Sequence, residues 1–130
     1  MTVKVLIITH EEVGNALIKA TTQALGELPL PVRIVKVAPD TKPEHLYEQL
    51  QQLCKALDPD DGLLVLTDLN GSTPANIAVK LQNCQQIQVI AGLNLPMLIR
   101  VMNYPGLGLS DLVQKAVSCG KDGVMLCPAR

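Results

Sequence analysis

Tryptophan and phenylalanine are absent from the chain, and tyrosine occurs only twice. The core must therefore be aliphatic, built from Leu, Ile, Val and Ala. The scarcity also removes the aromatic platforms on which proteins stack single-stranded nucleic acid. Excess charge is missing too. Eleven Lys and Arg stand against twelve Asp and Glu, a net charge of −1. No field of that kind gathers nucleic acid or an anionic membrane. No apolar run approaches the ~20 residues that span a bilayer. The N-terminus lacks the long apolar stretch and cleavage site of a signal peptide, so a cytoplasmic protein is expected. Paired Cys-x-x-Cys motifs are absent as well. Cys54, Cys84, Cys119 and Cys127 match no zinc spacing and read as small hydrophobes in a reducing compartment. No metal and no cofactor is expected.

What is present is a chain of 130 residues, 48% of them apolar. That is the usual size of one domain, long enough to bury about two thirds of its unfolded surface. Strand-like and helix-like segments alternate throughout. Residues 3–9 read as a buried strand, and residues 12–27 carry apolar positions at helical spacing. Residues 32–37 are β-branched and strand-like. Asp40 or Thr41 is placed to cap a helix that carries Leu46, Leu50, Leu53 and Leu57. Residues 62–67 form a third strand. Pro74 opens a helix, with Thr73 as its expected cap, and residues 87–91 form a fourth strand. Pro96 starts another helix. Ser110 is expected to cap the last one, Gly120 to end it, and residues 123–127 to form a short fifth strand.

This order predicts an α/β fold with a mainly parallel four-stranded sheet of order 2-1-3-4 and helices on both faces. Ligands in such sheets bind beyond the carboxyl ends of the strands, where the winding reverses. Three loops reach that edge. His10 follows strand one, Asp68 follows strand three, and "GLNLP" (92–96) follows strand four. A carboxylate beside a histidine fixes its tautomer and leaves the other ring nitrogen free as a nucleophile. The bland alternative is a strand-end histidine and a helix-capping aspartate. The loop Gly71, Ser72, Thr73 then offers backbone and hydroxyl donors to an anion. A nucleophilic histidine facing an anion site suggests a phosphohistidine. A serine hydrolase built from Ser72, His10 and Asp68 is the rival from another class, but no G-x-S-x-G elbow supports it.

"VLIITH" (5–10), "VLTDLNGSTPANIA" (65–78) and "VIAGLNLPML" (89–98), in that order, resemble the enzyme IIA component of the mannose family. This family serves the bacterial phosphoenolpyruvate-dependent sugar phosphotransferase system. The likeness covers essentially the whole chain. It implies a single IIA domain over residues 1–130 with no fused IIB domain. It implies a phosphotransferase with His10 as the phosphorylated residue, through Nε2, and Asp68 as its partner on Nδ1. It implies Gly71, Ser72 and Thr73 as the phosphate-binding loop. The implied phosphoryl donor is the histidine-containing carrier protein and the implied acceptor is a IIB protein. Any contact with a membrane permease would run through those partners. A homodimer is implied, with a C-terminal antiparallel strand exchanged between subunits. A regulatory phosphoprotein and a dihydroxyacetone kinase phosphocarrier subunit are readings on the same fold.

Three positions depart from the family pattern. Glu11 stands where a small residue, commonly Gly, follows the histidine. Ala75 and Asn70 stand where aromatic or apolar residues are common. A carboxylate at Glu11 would repel a phosphoryl group. Two unit charges ~6 Å apart interact by ~3 kcal/mol at an effective dielectric constant of ~20, less when exposed to salt. His45 reads as a solvated residue, and Arg100, near the site edge, as a surface residue, with contact to phosphate or an acidic partner patch as the alternative.

Overall fold

The computed structural model describes residues 2–83 and 86–129. Cys84 lies outside the described residues. The elements alternate as β1 (Lys4–His10), α1 (Val13–Leu25), β2 (Val32–Val37), α2 (Pro43–Leu57), β3 (Leu63–Thr67), α3 (Thr73–Val79), β4 (Ile87–Ala91), α4 (Leu95–Asn103) and α5 (Leu109–Asp122). Short 3₁₀ turns cover Pro59–Asp61 and Lys80–Asn83. The four strands form one sheet in the order β2-β1-β3-β4, and every pairing is parallel.

Strands buried on both faces must be apolar at successive positions. Val5 to Ile8 and Leu63 to Leu66 are buried without interruption. Odd and even residues of each strand feed opposite cores, because side chains alternate across the sheet. Val5, Ile7, Leu64 and Leu66 pack with Leu98, Val101, Leu112 and Ala116, under α1, α4 and α5. Leu6, Ile8, Leu63 and Val65 pack with Leu46, Leu50, Ile77 and Ala78, under α2 and α3. His10 follows Leu6 and Ile8 in this alternation, so its side chain emerges on the face covered by α2 and α3. Register fixes its height: His10 pairs with Val37, the last residue of β2.

Several expected helix ends moved. Ser72, not Thr73, is the N-cap of α3, its Oγ accepting from Ala75 N–H at 3.5 Å. Lys42 is the N-cap of α2, while Thr41 Oγ1 closes a local turn by accepting from Ala38 N–H. Gly108, not Ser110, precedes α5. Gly120 does not end that helix. It is buried inside it, where a Cβ would lie 2.8 Å from Met97 Cε, so it allows α5 to approach α4. Residues 124–129 form no regular structure within the chain. A parallel sheet of this winding offers so short a segment no place in register, and Val124, Met125 and Leu126 are left exposed.

The cysteines also divide. Cys54 is buried, which pushes its thiol pKa up, whereas Cys119 is half-buried and Cys127 exposed. No described helix is long and apolar enough to cross a membrane.

The start of α1 depends on a close approach. Thr9 is buried, and its Oγ1 accepts from Gly14 N–H at 2.8 Å. A Cβ on Gly14 would lie 2.7 Å from Ile7 Cγ2. Gly14→Val should therefore destabilise the protein by about 1–3 kcal/mol through overpacking, read as a lower denaturation midpoint. An unchanged midpoint would show that α1 is free to shift.

Candidate functional site

β1 and β3 are neighbours, so their carboxyl ends bring His10 beside Asp68. Asp68 Oδ2 accepts from the backbone N–H of His10 at 3.0 Å. The same oxygen lies 3.0 Å from His10 Nδ1, with Oδ1 at 3.2 Å. An ionised carboxylate only accepts hydrogen bonds, so Nδ1 carries the proton of the neutral ring. Nε2 then holds the lone pair and points away from Asp68. The ring remains accessible while the carboxylate is sheltered: their side chains are 45% and 14% exposed.

A cleft of about 280 Å³ opens beside the ring. His10 and Glu11 line it from the end of β1 and the turn after it, Val37 and Pro39 from the end of β2, and Thr73 and Pro74 from the start of α3. Gly71 has φ +84°, a left-handed conformation that turns the loop after Asp68. Within that loop the donors differ. Ser72 spends both its N–H and its hydroxyl on the carbonyl of Leu69, at 3.3 Å and 2.6 Å. Among the described residues the hydroxyl of Thr73 has no partner. Among the described residues Ser72 makes no hydrogen bond to His10, its hydroxyl being donated to Leu69 O.

The "GLNLP" loop plays a different part from the other two. Leu93 N–H donates to Thr67 O at 3.0 Å, which ties the loop to the end of β3. Asn94 Oδ1 caps α4 by accepting from Met97 N–H, and its Nδ2 donates to Gly120 O on α5. None of these residues lines the cleft. Arg100 is also elsewhere. It faces Tyr104 and Cys119 between α4 and α5, and those hydrogen bonds hold its guanidinium still more firmly charged. His45 is exposed on the first turn of α2. No cluster of metal-binding side chains occurs among the described residues.

Glu11 is the residue whose role composition and spacing could not reveal. Its φ is +44°, although it is not glycine. Its N–H donates to Val37 O at 3.1 Å, which turns the chain sharply out of β1. Glu12, next along, pairs with Lys36 at 2.9 Å and raises the lysine pKa by hydrogen bonding and charge.

A sequence model of the EIIA-man family, described as "PTS system fructose IIA component", matches residues 4–117. The chain belongs to this mannose-type IIA family. The mannose-specific EIIAB component of Escherichia coli strain K12 is 31% identical over 133 aligned residues, covering all of this chain and 41% of that protein. The chain thus spans about two fifths of that relative's length. A fructose-specific EIIA component of Bacillus subtilis is 30% identical over 86 residues, 65% of this chain and 59% of that one. The mannose/sorbose-specific IIA subunit from Enterococcus faecalis superposes with a TM-score of 0.89 at 26% identity, covering 100% of this chain and 98% of that one. The mannose-type IIA fold and its parallel 2-1-3-4 sheet are therefore common to the two chains.

One buried group beside the site is unsatisfied. Thr67 is fully buried, and its Oγ1 has no hydrogen-bond partner. An unpaired buried hydroxyl carries its full desolvation penalty. Thr67→Val keeps the shape and removes the hydroxyl, so it should raise stability by about 1 kcal/mol. A lower melting temperature would show that the hydroxyl has a partner in solution.

Proposed function

We propose that the protein is a phosphocarrier that takes a phosphoryl group onto His10 Nε2 and passes it on. The observation that carries this reading is the Asp68 carboxylate on Nδ1, 3.0 Å away, in a histidine that lines an open cleft. The donor is the histidine-containing carrier protein, and the acceptor is a IIB protein. This role, in sugar uptake or its regulation, is supported by membership of the mannose-type family.

The chemistry follows from the tautomer. The Nε2 lone pair forms a bond to phosphorus as the donor's N–P bond breaks, and the donor nitrogen keeps that electron pair. His10 Nδ1 retains its proton, so the ring becomes a phosphoimidazolium facing the Asp68 anion. The donor's ring, cationic before transfer, leaves neutral, so no proton need enter or leave. Asp68 thus orients the nucleophile and stabilises the charge that develops on it. Gly71, Ser72 and Thr73 form the phosphate-binding loop, with Thr73 as the residue whose hydroxyl is free and at the cleft. Ser72 holds the turn in shape rather than offering its own hydroxyl.

Phosphorylation should follow from phosphoenolpyruvate, the first enzyme of the system and the carrier. The product should be an acid-labile, base-stable phosphate that His10→Ala cannot accept. Asp68→Ala should slow labelling by about 10–1000-fold while leaving the circular dichroism spectrum unchanged. Labelling of His10→Ala at the wild-type rate would refute the assignment.

The exposed run Val124, Met125, Leu126 supports a homodimer in which this segment pairs with the neighbouring subunit's sheet edge. Light scattering should give twice the chain mass, and Leu126→Asp should lower it to the monomer. A wild-type monomer would remove the exchange.

A further inference from the structure

We infer that Glu11 raises the phosphoryl-transfer potential of His10, by placing a fixed negative charge beside the transferred group. The inference rests on the phosphocarrier reading above and goes beyond it. It concerns the equilibrium of the transfer rather than its existence.

Three observations converge. Glu11 follows His10 directly and lines the same cleft. Its backbone sits at φ +44°, a conformation costly to a residue with a Cβ and easy for glycine. A non-glycine residue held in such a conformation at a site points to a function for its side chain. Finally, the carboxylate is exposed and makes no hydrogen bond or ion pair among the described residues. The nearby cation, Lys36, is engaged by Glu12 at 2.9 Å. Lys36 feels Glu11 only as a weaker, through-space charge. Asp68 is likewise committed, to His10 itself. Glu11 therefore contributes negative potential to the cleft.

The form of His10 that attacks is the neutral imidazole, whereas the phosphoryl group on Nε2 brings net negative charge into the cleft. Glu11 thus penalises the phosphorylated state more than the free one. The bond changes stay those of the exchange: one N–P bond forms, one breaks, and the leaving nitrogen keeps its pair. What shifts is the balance, toward release to the next acceptor. A carrier with a weakly held phosphoryl group passes it forward readily and accumulates little of it.

The test measures the equilibrium ratio of phosphorylated His10 to radiolabelled phosphorylated carrier protein, after the first enzyme has been removed. Glu11→Gln and Glu11→Gly should both raise that ratio by about 3–10-fold at low salt, and the difference should shrink at ~0.5 M salt. Glu11→Asp keeps the charge and should keep the wild-type ratio. An unchanged or lowered ratio in Glu11→Gln overturns the inference. So does a rise confined to Glu11→Gly, which would trace the effect to backbone strain. Wild-type protein that takes no label on His10 defeats the phosphocarrier reading and this inference with it, and is told apart by the His10→Ala control.

Discussion

The carboxylate of Asp68 joins the ends of the two central strands. One of its oxygens accepts from both the backbone N–H and the Nδ1–H of His10. The backbone bond locates the residue, and the ring bond sets its tautomer. Neither would form if β1 and β3 were not parallel neighbours in this register. Strands of uninterrupted aliphatic residues keep that register rigid, since both faces are buried and a slip of one residue would exchange the two cores. The accessibility of the ring beside a sheltered carboxylate is a consequence of the sheet ending there.

Around this pair, the three loops at the carboxyl edge have separate duties. The loop after β1 turns sharply at Glu11 and aims α1 back across the sheet, where Gly14 lets the helix press against Ile7. The loop after β3 spends Ser72 on its own turn and presents Thr73 to the cleft. The loop after β4 holds the scaffold. Asn94 caps α4 and reaches α5, and Leu93 ties to Thr67. Being near the site in topology did not make that third loop part of it.

Much of this was legible beforehand. The aliphatic runs, their alternation with helical spacing and the absence of large aromatics indicated a two-faced parallel sheet. The bounds of β2 and β4 matched expectation, because β-branched runs flanked by Pro31 and Pro39 or ended by Gly92 leave little choice. The placing of His10 and Asp68 at neighbouring strand ends followed from topology. The helix caps were less legible. Thr73 and Ser72 both suit an N-cap, and only the turn through Gly71 decides which hydroxyl faces Ala75 N–H. Asp40, Thr41 and Ser110 likewise had capping chemistry but not the necessary backbone position. Gly120 read as a helix stop, because sequence spacing cannot register the approach of Met97 from another helix.

The sequence by itself determined the fold class, the strand order and the residues that meet at the switch edge. Those follow from hydrophobic periodicity and right-handed crossovers, which are properties of the chain read locally. Only the tertiary structure decided how far His10 Nδ1 lies from Asp68, which donors of the 71–73 loop remain free, and that Glu11 occupies a left-handed turn. These depend on distances and dihedral angles between segments remote in sequence, and no local pattern encodes them.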